Sequence, residues 1–167
     1  MSNQKGVTVD RSGIAGRMSL VTFRQLERIL ENMPTLTSAE HTLICFSFTN
    51  AAAQSSNPIA VLLEALAQAE ALGNCEPGVI AMVGNAALCF RANCAPRAAL
   101  TFARLVRARL QASQPPVIPP GAGLSIGVVP IMETRVDPRV LIRRATSACE
   151  AATRKGRGYI EVWRDSH

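Results

Sequence analysis

The chain has 167 residues, of which 48% are hydrophobic, 4% aromatic and 18% charged, and its net charge is +6. That length supports one domain with a core of Leu, Ile, Val and Ala; the domain is read over 19–167, with 1–18 as a polar, Gly-containing arm. The basic balance favours an anionic partner (nucleotide, nucleic acid or an acidic protein surface), with an ordinary solvated basic surface as the plainer alternative. Low charge beside high apolar content fits a face covered by a partner, or a domain cut from a larger chain. No apolar run reaches the roughly 18 residues of a membrane span, and residues 1–17 lack the apolar centre of a signal peptide. Cys45, Cys75, Cys89, Cys94 and Cys149 include no CxxC pair, and the histidines are His41 and His167. A Cys/His metal site is therefore not expected, and free thiols among apolar residues fit a reducing cytoplasm.

Ser19 is a candidate N-cap for a helix over 20–33. Leu20, Phe23, Leu26, Leu30 and Met33 give it one apolar stripe, and Pro34 ends it. Residues 42–49 predict a central strand. Residues 50–58 are small and polar, hence a loop, and a helix over 59–72 follows with Gly73 and Asn74 as its C-cap. Within 78–91, two apolar runs flank Gly84-Asn85. Both residues tolerate positive φ, which predicts a tight hairpin between buried strands.

Pro96 opens a helix to residue 112. Phe102, Val106 and Leu110 share one of its faces, while Arg97, Arg104 and Arg107 fall mostly on another. Residues 114–123 are Pro- and Gly-rich, a connection too short to separate domains. Residues 124–129 predict a strand. Asp137-Pro138 supplies an N-cap and a first-turn proline for a helix to residue 153, with Leu141, Ala145, Ala148 and Ala152 inward. Gly156 and Gly158 break that helix before a last strand over 159–163, with Tyr159, Glu161 and Trp163 on one face. The order contains β-α-β-β-α-β, an α+β, ferredoxin-like or palm-like fold. Its central, mainly antiparallel sheet is expected to have about five strands flanked by helices.

Several segments, in order, resemble the GGDEF domain of bacterial diguanylate cyclases. Leu124-Ser125-Ile126-Gly127-Val128 resembles the family's "SIGVA" strand. Residues 141–158 resemble "LLrrADxALYxAKxxGRN", and residues 12–20 resemble "TGLxNRxxF". The hairpin Gly84-Asn85-Ala86-Ala87-Leu88 falls where the family has its "GGDEF" turn. The resemblance spans nearly the whole chain and rests on the order and spacing of the segments rather than on one motif. It implies a palm-like scaffold on which the family condenses two GTP into cyclic di-GMP with metal ions.

The departures fall on the chemistry. Ala86 and Ala87 stand where the family's turn carries acidic residues, and Ser47 and Thr49 stand at its metal-binding "DxD" strand. The chain has three Asp, at 10, 137 and 165, all in predicted loops or tails. Two-metal phosphoryl transfer needs clustered carboxylates to hold the ions, and Glu64 alone would not make such a site. The family's inhibitory "RxxD" corresponds to Cys75 and Gly78, so that site also reads as lost. Thr146 and Thr153 replace the Asp and Lys of the "AD" and "AK" pairs, and Arg157 is kept. For Arg154, Lys155 and Arg157, a solvated helix end stands beside ligand binding.

Expected, then, is a catalytically inactive, degenerate GGDEF-like domain with no metal or cofactor. It would act in the cytoplasm as a regulatory, protein-binding or dimerising module of cyclic di-GMP signalling. The alternative is a non-catalytic receptor for cyclic di-GMP or GTP, with Arg97, Arg104, Arg107, Arg143 and Arg157 as the phosphate or guanine contacts. An active enzyme with an unorthodox site is a third reading. Nucleic-acid binding ranks last, because the basic residues are scattered and aromatics are scarce.

Overall fold

The computed structural model describes residues 18–33, 40–49, 58–71, 78–112, 123–133, 135–156 and 159–165. Its elements in chain order are β1 (Ser19–Val21), α1 (Phe23–Glu31), β2 (His41–Thr49), α2 (Pro58–Ala71), β3 (Val79–Val83), β4 (Ala86–Arg91), α3 (Pro96–Ala112), β5 (Gly123–Ile131), α4 (Pro138–Lys155) and β6 (Ile160–Val162). The strands form one sheet in the order β1-β3-β4-β2-β5-β6. The β3–β4, β4–β2 and β2–β5 ladders are antiparallel, and the outer β1–β3 and β5–β6 ladders are parallel. No described helix is long and apolar enough to cross a membrane.

β2 reads as a nearly continuous apolar run because helices cover both faces of the sheet. Ile44 and Phe46 point into one core, with Leu62 and Leu66 of α2 and Phe102, Val106 and Leu110 of α3. Leu43 and Cys45 point into the other, with Leu26 and Leu30 of α1 and Leu141, Ala145 and Cys149 of α4. The alternation follows from the period of two along a strand.

The sequence reading is corrected at the start of the domain. Residues 19–21 form a short edge strand, with Ser19 opposite Val79, rather than a cap and the first turn of a helix. The sheet thus has six strands, not about five. The cap is Thr22: its hydroxyl accepts from the Gln25 amide at 3.2 Å, and the Gln25 side chain accepts from the Thr22 amide at 2.8 Å. This reciprocal pair is the Thr-x-x-Gln capping box, which Ser19 cannot make because Thr22 lies three residues on. The helix stops at Glu31, short of Met33. Met18, read as the end of the arm, packs against the core.

Elsewhere the differences are at boundaries. Pro58 opens α2 rather than closing the loop before it, as suits a residue with no amide hydrogen to donate. At the hairpin, Gly84 alone takes positive φ, at 58°, the pattern of a type II′ turn. β5 continues through Pro130. That residue shares parity with Ile126 and Val128, whose backbone groups face β6. Since β6 pairs only with 126–128, no ladder bond is lost at the proline. Asp137 caps α4 as expected, accepting from the Arg139 amide at 2.8 Å. The helix runs two residues past 153 to a C-cap at Gly156. The loops read at 50–57 and 114–122, the cap at Gly73 and Asn74, and residues 1–17 lie outside the described residues.

Candidate functional site

The end of β2 and the β3–β4 hairpin, the two places where the sequence departs most from the family it resembles, lie side by side. Ser47 is opposite Ala86 on β4 and opposite Ser125 on β5. Ala87 is opposite Phe46, and Thr49 is opposite Gly123. Gly84 and Asn85 form the exposed turn beyond them. Ala87 is buried in the α2/α3 core, and Leu88 in the α1/α4 core. The donors offered here are hydroxyls and backbone groups. Magnesium beside a triphosphate needs hard anionic oxygens, so this donor set does not fit the metal ions that the resemblance implies. Among the described residues, no three His, Cys, Asp or Glu side chains gather as a metal site. Glu64 lies exposed on α2, in the layer opposite Ser47.

A polar cluster at this end of the sheet was not foreseen. The Thr153 hydroxyl donates to the Ser125 hydroxyl at 2.8 Å and lies 3.0 Å from the Cys149 carbonyl. The Cys149 thiol donates to the Ser125 carbonyl at 3.2 Å. These bonds join α4 to β5 where the family places a lysine. Thr146 bonds back to its own helix, at the Ile142 and Arg143 carbonyls. Lys155 pairs with Glu161 at 2.5 Å, and Arg154 is exposed. Only the position of Ser125 in the "SIGVA" segment hinted at the link.

The four described arginines among those offered as nucleotide contacts do not converge. Arg97, Arg104 and Arg107 lie on α3, and Arg143 lies on α4, in the opposite helical layer. Arg97, Arg104 and Arg143 are exposed. Arg157, and Cys75 of the lost inhibitory pair, lie outside the described residues. Gly78 is buried, and its amide donates to Glu70 Oε1 at 2.7 Å.

That carboxylate belongs to a buried charge pair with no sequence signal. Arg91 Nη1 is 3.3 Å from Glu70 Oε1, and both side chains are at most 3% exposed. The Arg91 guanidinium also stacks 4.1 Å from the Phe102 ring centroid, a cation–π contact. At the same end, the buried His41 accepts from the Asn93 amide through Nδ1 at 3.1 Å. Both groups lie at the opposite end of β2 from Ser47 and serve the fold.

Burial pushes the Cys89 thiol up from 9.0 to about 12. Below pH 9 the thiol is protonated whether the chain is folded or not. Between 9.0 and about 12 the unfolded chain has lost a proton that the folded chain keeps, so stability falls as pH rises. This one group contributes a slope of about 1.4 kcal/mol per pH unit over that window. Cys89→Ala should flatten the alkaline loss of the denaturant midpoint by one proton. An unchanged slope would show that Cys89 ionises equally in both states.

The fold is that of GGDEF domains. The active GGEEF domain of a Vibrio cholerae diguanylate cyclase superposes with a TM-score of 0.65 at 16% identity, over 77% of this chain and 85% of that one. The GGDEF domain of YfiN (TpbB) from Pseudomonas aeruginosa gives 0.66 at 18% identity, over 88% and 98%. The GGDEF domain of DgcB from Caulobacter crescentus, solved in complex with cyclic di-GMP, gives 0.63 at 12% identity, over 94% and 99%. No family model and no curated protein matches the chain.

Proposed function

We propose that the chain is a non-catalytic GGDEF-like module that binds a protein partner or dimerises within cyclic di-GMP signalling in the cytoplasm. One observation carries this reading. The β2 end and the β3–β4 turn are adjacent, with Ser47 opposite Ala86, and their side chains include no carboxylate. Phosphoryl transfer between two triphosphates concentrates negative charge, which uncoordinated alanines and hydroxyls do not offset. The apolar framework persists on both faces of the sheet while the polar positions of the site carry small residues. That pattern supports a scaffold kept for contact. Among the described residues, this edge offers GTP turnover no carboxylate cluster to hold a metal.

A neighbour solved with cyclic di-GMP keeps the receptor reading in play, although the arginines on α3 and α4 face away from one another. Calorimetry with cyclic di-GMP, and with GTP plus magnesium, separates the two. The module reading expects no heat at high micromolar ligand, and sedimentation that reports a dimer or a retained protein partner. Saturable heat with cyclic di-GMP would replace it with the receptor. Chromatographic detection of cyclic di-GMP made from GTP would overturn both.

A further inference from the structure

Two buried thiols stand on facing walls of the α1/α4 core. Cys45 on β2 is 1% exposed, and Cys149 on α4 is 3% exposed. Cys45 is opposite Gly127 in the β2–β5 ladder. Gly127 is also where α4 rests on the sheet: a Cβ there would lie 2.5 Å from the Cys149 amide nitrogen. The absent side chain lets the helix backbone descend onto β5 next to Cys45, and the two thiols lie in the same buried core. Nothing in the proposed function uses this pair.

We propose that Cys45 and Cys149 are an oxidisable pair that closes to a disulfide, bolting α4 to β2 beside the Ser47 end of the sheet. The hydrogen bond from Cys45 holds the Cys149 thiol below its ordinary range, while the same bond and burial push Cys45 well above it. Of the two, Cys149 is therefore the more readily ionised, and it attacks once it releases its proton to become the thiolate, the form that reacts. With a peroxide as oxidant, the Cys149 sulfur attacks one peroxide oxygen. The O–O bond breaks, giving Cys149 sulfenic acid and a hydroxide that takes up the released proton as water. The Cys45 sulfur then attacks the Cys149 sulfur. The S–O bond breaks, and a second water leaves with the Cys45 proton. Two thiols and one hydrogen peroxide become one disulfide and two waters. Cys89 and Cys94 lie in the other core, across the sheet, and do not compete.

The test uses the folded chain, treated with hydrogen peroxide, quenched and digested without reduction. The expected product is a cross-linked peptide joining the Cys45 and Cys149 segments, lighter by two hydrogens than the separate thiol peptides. The oxidised chain should also melt at a higher temperature, and dithiothreitol should reverse the rise. Cys45→Ala and Cys149→Ala should each abolish the rise, and Cys89→Ala should keep it. Recovery of both residues as thiols, over-oxidation without a cross-link, or a bridge from either to Cys75 overturns the proposal. So does a cross-link that leaves the melting temperature unchanged. Mass analysis of the unaltered chain decides the matter even if a variant folds poorly.

Discussion

Gly127→Ala should destabilise the chain by about 3 kcal/mol or more, the upper part of the range for forcing extra atoms into a packed core. For a domain of this size, that corresponds to a melting temperature lower by roughly 10 °C. The added Cβ would stand 2.5 Å from the Ala145 carbonyl oxygen, 2.5 Å from the Cys149 amide nitrogen and 3.0 Å from the Ala148 carbonyl carbon. All three are backbone atoms, so no side chain can swing aside. The helix must lift from β5, which pulls Leu141, Ala145 and Cys149 out of the core they share with Leu43 and Cys45. Gly84→Ala is the informative control. Nothing lies within 4 Å of its Cβ position, but its φ is +58°. Its cost is therefore the backbone term alone, about 1–2 kcal/mol. Chemical denaturation of the two variants compares them directly. Equal costs would mean that α4 does not rest on β5 as described.

Arg91→Met should cost about 3–5 kcal/mol, the usual result of removing one member of a buried ion pair. Glu70 would be left as a carboxylate in the α2/α3 core, where its Oε1 is held by Arg91 and the Gly78 amide. Its Oε2 has no hydrogen-bond partner among the described residues. Glu70→Gln keeps an acceptor for Gly78 but removes the carboxylate charge that Glu70 presents to the guanidinium. The double variant should recover part of both losses, since it buries no net charge. A double-mutant cycle reads the coupling, expected at more than about 1 kcal/mol for groups sharing one buried network. Strict additivity would show that the pair does not interact. Part of the Arg91→Met cost also reflects lost stacking on Phe102.

What the sequence disclosed depended on how local each determinant is. The β2 run and the β3–β4 hairpin were legible because burial on both faces writes itself as consecutive apolar residues. The α4 start was legible because Asp137 and Pro138 are adjacent. β1 was not, since three residues are too few to show a period, and Leu20 fits a helical stripe as well as a strand. Its real marker was Thr22 with Gln25, which places the cap three residues later. Arg91 and Glu70 were invisible as a pair because 21 residues separate them and only the assembly of the α2/α3 core on the sheet joins them. The same holds for Ser125 with Thr153 and for Cys45 with Cys149. Gly127 stood out as part of a motif, but the reason for it, a helix backbone in contact above it, is a fact of three dimensions. At the candidate site the sequence disclosed which residues lack charge, and the register of β2 against β4 supplied their adjacency.

Both lateral margins of the sheet are three-residue strands, β1 and β6, each running parallel to its inner neighbour. So short a margin gives an incoming chain few free amides and carbonyls to grip. Two copies would gain little by zipping their sheets into one, and the described margins are poor seeds for fibrous stacking. A homodimer of this domain should therefore meet through its helices, leaving the six-stranded sheet of each copy self-contained.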